Sequence, residues 1–137
     1  DDGGFLLCNM LTDFMGQDIV LDGTEIWWNR QTGKWLRNPE AKLEMGSIYS
    51  LVGLDLNYAA VVIGPDLYYD RADQKIKVNK KHYFDNKVKT GGSDEELQEY
   101  VLNTYAVLLT RGIYGTYVYV CDEALREYLQ QYIPSLK

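Results

Sequence analysis

Two cysteines, three prolines and one histidine are all that this 137-residue chain holds of the residues that staple a fold, kink it or most often ligate metals. Cys8 and Cys121 lie far apart, and neither has a second Cys or His at metal-ligand spacing, so no zinc site and no disulfide framework is indicated. Both read as small buried hydrophobes in a reducing, cytoplasmic setting. Pro39, Pro65 and Pro134 are local punctuation, and there is no Pro-rich linker, internal repeat or low-complexity tract. Residues 1–137 are therefore expected to form a single domain. No apolar run approaches the ~18 residues of a membrane span, and Asp1-Asp2-Gly3-Gly4 ahead of Phe5 to Leu7 lacks the form of a signal peptide. A membrane partner is not expected.

The catalytic signatures are missing too. The chain has no G-x-x-x-x-G-K-[ST] loop, G-x-G-x-x-G, G-x-S-x-G or H-E-x-x-H. The one histidine, His82, sits beside Lys80 and Lys81 and reads as a surface residue. With 14 basic against 20 acidic residues, a net charge of −6 argues against a freestanding nucleic-acid binder. An acidic domain can still form one wall of a shared cleft whose other wall supplies the positive field.

What is present is ordinary globular composition, 46% hydrophobic and 25% charged, enough for a real core. Asp18 to Leu21 and Glu25 to Trp28 flank Asp22-Gly23, a hairpin signal. Asn29 to Asn38 has no period and is expected to be a loop, and Ser47 to Ser50 a short strand. Ala59 to Ile63 is a continuous apolar run stopped by Gly64-Pro65, the pattern of a parallel strand buried on both faces. Leu67 to Tyr69 and Ile76 to Val78 suggest a second, more exposed hairpin.

Ser93-Asp94-Glu95-Glu96 has the capping-box form. Leu97, Tyr100, Val101, Thr104, Tyr105, Leu108 and Leu109 follow as one helical apolar stripe, with Gly112 as its stop. Asp94, Glu95, Glu96 and Glu99 crowd the first turns, where carboxylates complement the helix dipole. Thr116 to Cys121 reads as a buried strand and Asp122 as the N-cap of a helix over Glu123 to Ile133. The alternation of strand and helix predicts a layered α/β domain.

Two stretches carry more information, Gly46 to Val62 and Asn103 to Gly112. They resemble motifs V and VI of superfamily 1 DNA/RNA helicases, in the Schlafen-type group of ATP-binding proteins, and the resemblance runs from about Asp18 to Ile133. It implies a three-layer RecA-like (P-loop NTPase-like) α/β fold with a mainly parallel central sheet and hairpin insertions. It further implies an excised C-terminal helicase domain, with residues 1–17 either poorly ordered or part of an upstream connection. In such proteins ATP and Mg2+ are held mainly by the N-terminal RecA-like domain, which this chain lacks, so no cofactor is expected on this chain alone.

The resemblance makes Arg111, in Val107-Leu108-Leu109-Thr110-Arg111, an arginine finger acting in trans, with Thr110 beside it on the nucleotide side. A guanidinium suits that task, being permanently charged and able to fork onto phosphate. The alternative role for Arg111 is a charge at a helix C-terminus. Gly53-Leu54-Asp55 matches the G-L-[DE] of motif V, with Asp55 either accepting from the nucleotide sugar or capping the turn into Ala59 to Ile63. Tyr49 stands where the family usually has His, and Val52 where it usually has Gln or Lys.

For nucleic acid, the expected contacts are Tyr49, Ser50, Trp28 and Arg30. The segment with Trp27, Trp28 and Trp35 near Lys34 and Arg37 suits either base stacking or packing. Tyr49 and Val52 also motivate a different reading, a degenerate RecA-like interaction module without ATPase coupling. An apolar face left by the missing domain would favour self-association of the fragment.

Overall fold

A computed structural model describes residues 5–9, 19–21, 24–28, 44–47, 51, 53–82 and 92–135. In chain order the strands are β1 (Phe5–Asn9), β2 (Ile19–Leu21), β3 (Thr24–Trp28), β4 (Glu44–Ser47), β5 (Leu56–Ile63), β6 (Leu67–Asp70) and β7 (Lys75–Val78). Helix α1 (Asp94–Leu109), strand β8 (Gly112–Val120) and helix α2 (Glu123–Leu129) complete them. Six strands form one sheet in the order β2-β3-β4-β1-β5-β8. Every neighbouring pair in it is parallel except β2 and β3. The fold is α/β with a mainly parallel sheet.

Both expected hairpins form. Leu21 pairs with Thr24 across the two-residue gap at Asp22-Gly23, and β6 pairs antiparallel with β7 outside the main sheet. The apolar run of β5 occupies an interior place between β1 and β8. Ala59, Val61 and Ile63 join Leu97, Val101, Tyr105 and Leu108 of α1 and Leu125 of α2 in one core cluster. Ala60 and Val62, which alternate to the opposite face, are buried as well. Burial on both faces is why this strand can be apolar at every one of these positions.

Helix α1 begins as its sequence dictates. Ser93 Oγ accepts from Glu96 N, and the Glu96 carboxylate accepts from Ser93 N. Of the apolar stripe, Leu97, Val101, Thr104, Tyr105 and Leu108 are buried, whereas Tyr100 and Leu109 lie at its margins.

Several expectations are corrected. Gly112 is not a left-handed helix stop: Thr110 is the C-cap, and among the described glycines only Gly53 has positive φ. Gly112 opens β8 at an irregularity, where Leu56 pairs with Gly112 but Tyr58 pairs with Gly115, so β8 carries one extra residue. A Cβ at Gly112 would run into the Gly115 carbonyl, and that close approach is what requires glycine.

Strand β8 is not buried. Among the described residues it is the sheet edge, with Ile113, Tyr114 and Tyr117 exposed, because its aromatic and β-branched content reflects one packed face rather than two. Strand β4 lies earlier than expected and shares only Ser47 with Ser47 to Ser50; the rest of that stretch and the Asn29 to Asn38 loop lie outside the described residues. Asp122 caps α2 as expected, but the helix stops at Leu129 instead of Ile133. Cys121 is half-buried rather than fully buried. Strand β1, within residues 1–17 that were expected to be poorly ordered or part of an upstream connection and for which no strand was expected, lies between β4 and β5. Among the described residues no helix is long and apolar enough to cross a membrane.

Candidate functional site at the start of β5 and β8

Because β5 and β8 are parallel neighbours, the residues that precede them lie side by side at one edge of the sheet. Leu56 N donates to Arg111 O at 2.9 Å, joining the two strand starts. Asp55 and Arg111, remote in sequence, thereby approach to 3.8 Å between Oδ1 and Nη1. At that distance the pair is an ion pair without a short hydrogen bond.

Each residue has a local reason for its position. Leu54 N donates to Leu51 O at 3.0 Å, closing a turn in which Gly53 takes φ +78°. That conformation at the third turn position favours glycine, and the turn delivers Asp55 to the strand start. On the other segment, Thr110 N and Oγ1 both donate to Val107 O, at 3.3 and 2.9 Å. Arg111 Nε donates to the same carbonyl at 3.1 Å. The helix-terminus role foreseen for Arg111 is therefore real, and it occupies Nε of the fork while Nη1 faces Asp55. The Arg111 side chain is 24% exposed and that of Asp55 72%.

The structure thus brings together Gly53, Asp55, Thr110 and Arg111. The Thr110 hydroxyl is engaged with its own helix, so its local role is structural. The expected nucleic-acid residues do not join this group within what is described. Trp28 belongs to β3, paired with Met45, whereas Tyr49, Ser50 and Arg30 lie outside the described residues, as does Val52.

One polar centre had no counterpart among the sequence expectations. Asp66 and Tyr105 are both buried, and Tyr105 Oη donates to Asp66 Oδ1 and Oδ2 at 2.9 and 3.0 Å while accepting from Gly64 N at 3.3 Å. Burial pushes the Asp66 carboxyl up from 3.8 to about 6, with the Tyr105 hydrogen bond opposing it. Burial, then the Asp66 charge, hold the Tyr105 phenol well above its ordinary value. The only sequence signal was a tyrosine within the apolar stripe of α1, and nothing in Gly64-Pro65-Asp66 identified its partner.

Comparison with known proteins addresses the family directly. The family model described as Schlafen group 3, DNA/RNA helicase domain, matches residues 12–122. That span includes all four clustered residues. Uncharacterized protein YPL245W of Saccharomyces cerevisiae is 36% identical over 148 aligned residues, which cover 95% of this chain. The chain spans about a third of that relative's length, 32%. No solved structure matches. With the helicase-domain model covering most of the sheet, both strand starts and α1, the chain belongs to the Schlafen group 3 DNA/RNA helicase domain family.

Proposed function

We propose that this chain is the second, C-terminal RecA-like domain of a superfamily 1-type, ATP-dependent nucleic-acid motor, and that it supplies Arg111 to ATP bound by an N-terminal Walker-loop domain. The observation that carries this reading is the placement of Arg111 at a sheet edge, beside Asp55 and within reach of solvent. The helix fixes Nε through Val107 O, and among the described residues a long ion pair is all that restrains the remaining fork. Such a guanidinium can engage a phosphate brought to it by another domain.

Asp55 then takes one of two tasks, holding Arg111 before nucleotide arrives or accepting from the sugar once it has. Among the described residues no group of three or more His, Cys, Asp or Glu side chains is arranged to hold a metal ion. In this reading the Mg2+ ligands belong to the partner domain, and nucleic acid is gripped jointly by both domains.

The test uses the longer protein with its upstream domain. Arg111→Ala should reduce nucleic-acid-stimulated ATP turnover by ~10³-fold or more, the scale of trans-acting arginines, while nucleotide binding stays largely intact. Arg111→Lys should restore little, because an ammonium lacks the planar fork. Undiminished turnover in Arg111→Ala would remove the finger assignment.

A further inference from the structure

At the opposite end of β5 and β8 the two strands open into a cavity of about 660 Å³, a size suited to a small ligand. Cys121 N donates to Ile63 O at 2.9 Å where the strands end, and Tyr68, Asn79, Lys80, Lys81, His82 and Asp122 contribute to the wall. In open α/β sheets the region beyond the carboxyl ends of parallel strands is the usual place for a ligand. This cavity has that position, whereas the Arg111 edge does not.

The charges around the cavity are unequally committed. Lys80 is paired with Asp94. Asp122 Oδ2 accepts from Tyr69 N at 3.2 Å and Leu125 N at 2.8 Å, and the Asp66 carboxylate is enclosed with Tyr105. Lys81 and His82, by contrast, are exposed; Lys81 has no side-chain partner among the described residues, and His82 interacts with the Asp66 carboxylate through charge alone, without a hydrogen bond. Their backbone is held in place, since Asn79 Oδ1 accepts from Lys81 N at 3.1 Å and Asn79 O from His82 N at 3.0 Å. In a chain of net charge −6, the Lys81 ammonium and the adjacent His82 imidazole, side by side at a cavity mouth, form a local anion site. Tyr68 adds an aromatic wall, and Asp122 Oδ1, not used by either backbone donor, is an acceptor for a hydroxyl.

We propose that this cavity binds a phosphate ester of mononucleotide size, with the phosphate at Lys81 and His82, sugar hydroxyls at Asp122 and a planar ring against Tyr68. The site is separate from the Arg111 edge and does not depend on the motor reading.

The test is titration of the full chain, at low ionic strength and followed by amide chemical shifts, with AMP, inorganic phosphate and adenosine. AMP should give saturable shifts at residues 79–82 and 121–122, inorganic phosphate weaker shifts at 81–82 only, and adenosine the weakest response. Lys81→Glu and Lys81→Gln/His82→Gln both alter exposed side chains, so the fold is retained. Each should weaken AMP binding tenfold or more, while Arg111→Ala leaves it unchanged. Absence of saturable shifts at 79–82 at millimolar AMP would overturn the proposal. Equal affinity for adenosine and AMP would also overturn it, as would AMP binding lost in Arg111→Ala but kept in the Lys81 variants.

Discussion

Replacing Asp66 by asparagine should stabilise the protein at neutral pH, although it alters a fully buried, hydrogen-bonded side chain. The Asp66 carboxyl titrates near 6 in the folded protein against 3.8 for an ordinary aspartate, chiefly because burial disfavours its charged form. The folded state therefore holds the Asp66 proton more tightly than the unfolded chain does. Its favourable contribution is complete below about pH 4 and is lost as pH rises through 6. A displacement of roughly two units corresponds to about 3 kcal/mol between those limits. The amide introduced by Asp66→Asn would keep an oxygen for the Tyr105 hydroxyl and carry no charge, so the loss should vanish.

The assay is urea unfolding of both proteins at half-unit intervals from pH 4 to 7.5, read as the difference between them. Differencing removes Asp70, whose hydrogen bond with Lys77 lowers its carboxyl pKa and gives a pH dependence of the opposite sign. The two proteins should be nearly equal at pH 4, with Asp66→Asn ahead by up to about 3 kcal/mol at pH 7.5. A difference that is flat across the range, or wild type ahead at neutral pH, would refute the reasoning.

Other expectations concern the elements that frame the site. Ser93→Ala removes one half of the capping box of α1 and should cost about 1 kcal/mol in urea unfolding. Gly112→Ala forces a methyl group against the Gly115 carbonyl, which no rotamer change relieves, and should cost about 1–3 kcal/mol with amide shifts concentrated at the start of β8. Asp122→Ala removes the acceptor shared by Tyr69 N and Leu125 N, so hydrogen exchange at both amides should accelerate together. Arg71→Ala breaks only the exposed pair with Glu127, and the unfolding midpoint should barely move.

Legibility in the sequence followed the range of the interaction. The capping box, the Asp22-Gly23 hairpin and the apolar run of β5 are local signals, and each element formed where its residues required. The exposure of β8 was hidden because Tyr, Val and Thr suit an edge strand with one packed face as well as a central strand with two. The glycine at 112 was legible as necessary but not for its reason, since the close approach to Gly115 depends on a shift in pairing with β5. Asp66 with Tyr105, and Asp55 with Arg111, are contacts between distant segments. A single sequence carries the residue types but not their meeting.

That meeting also bears on how the proposed finger would operate. A carboxylate as exposed as that of Asp55, at 3.8 Å from the guanidinium, restrains it by roughly 0.2–1 kcal/mol. The Val107 carbonyl meanwhile fixes Nε at 3.1 Å, so the side chain is directed by the helix and only lightly held by the acid. A polyphosphate brings more than one negative charge and accepts two parallel hydrogen bonds from the fork, an interaction stronger than one long ion pair. Domain closure would then exchange the weaker partner for the stronger without remaking the helix terminus. A tight, buried Asp55 pair would have argued against the finger, because breaking it would cost more than the phosphate contact returns.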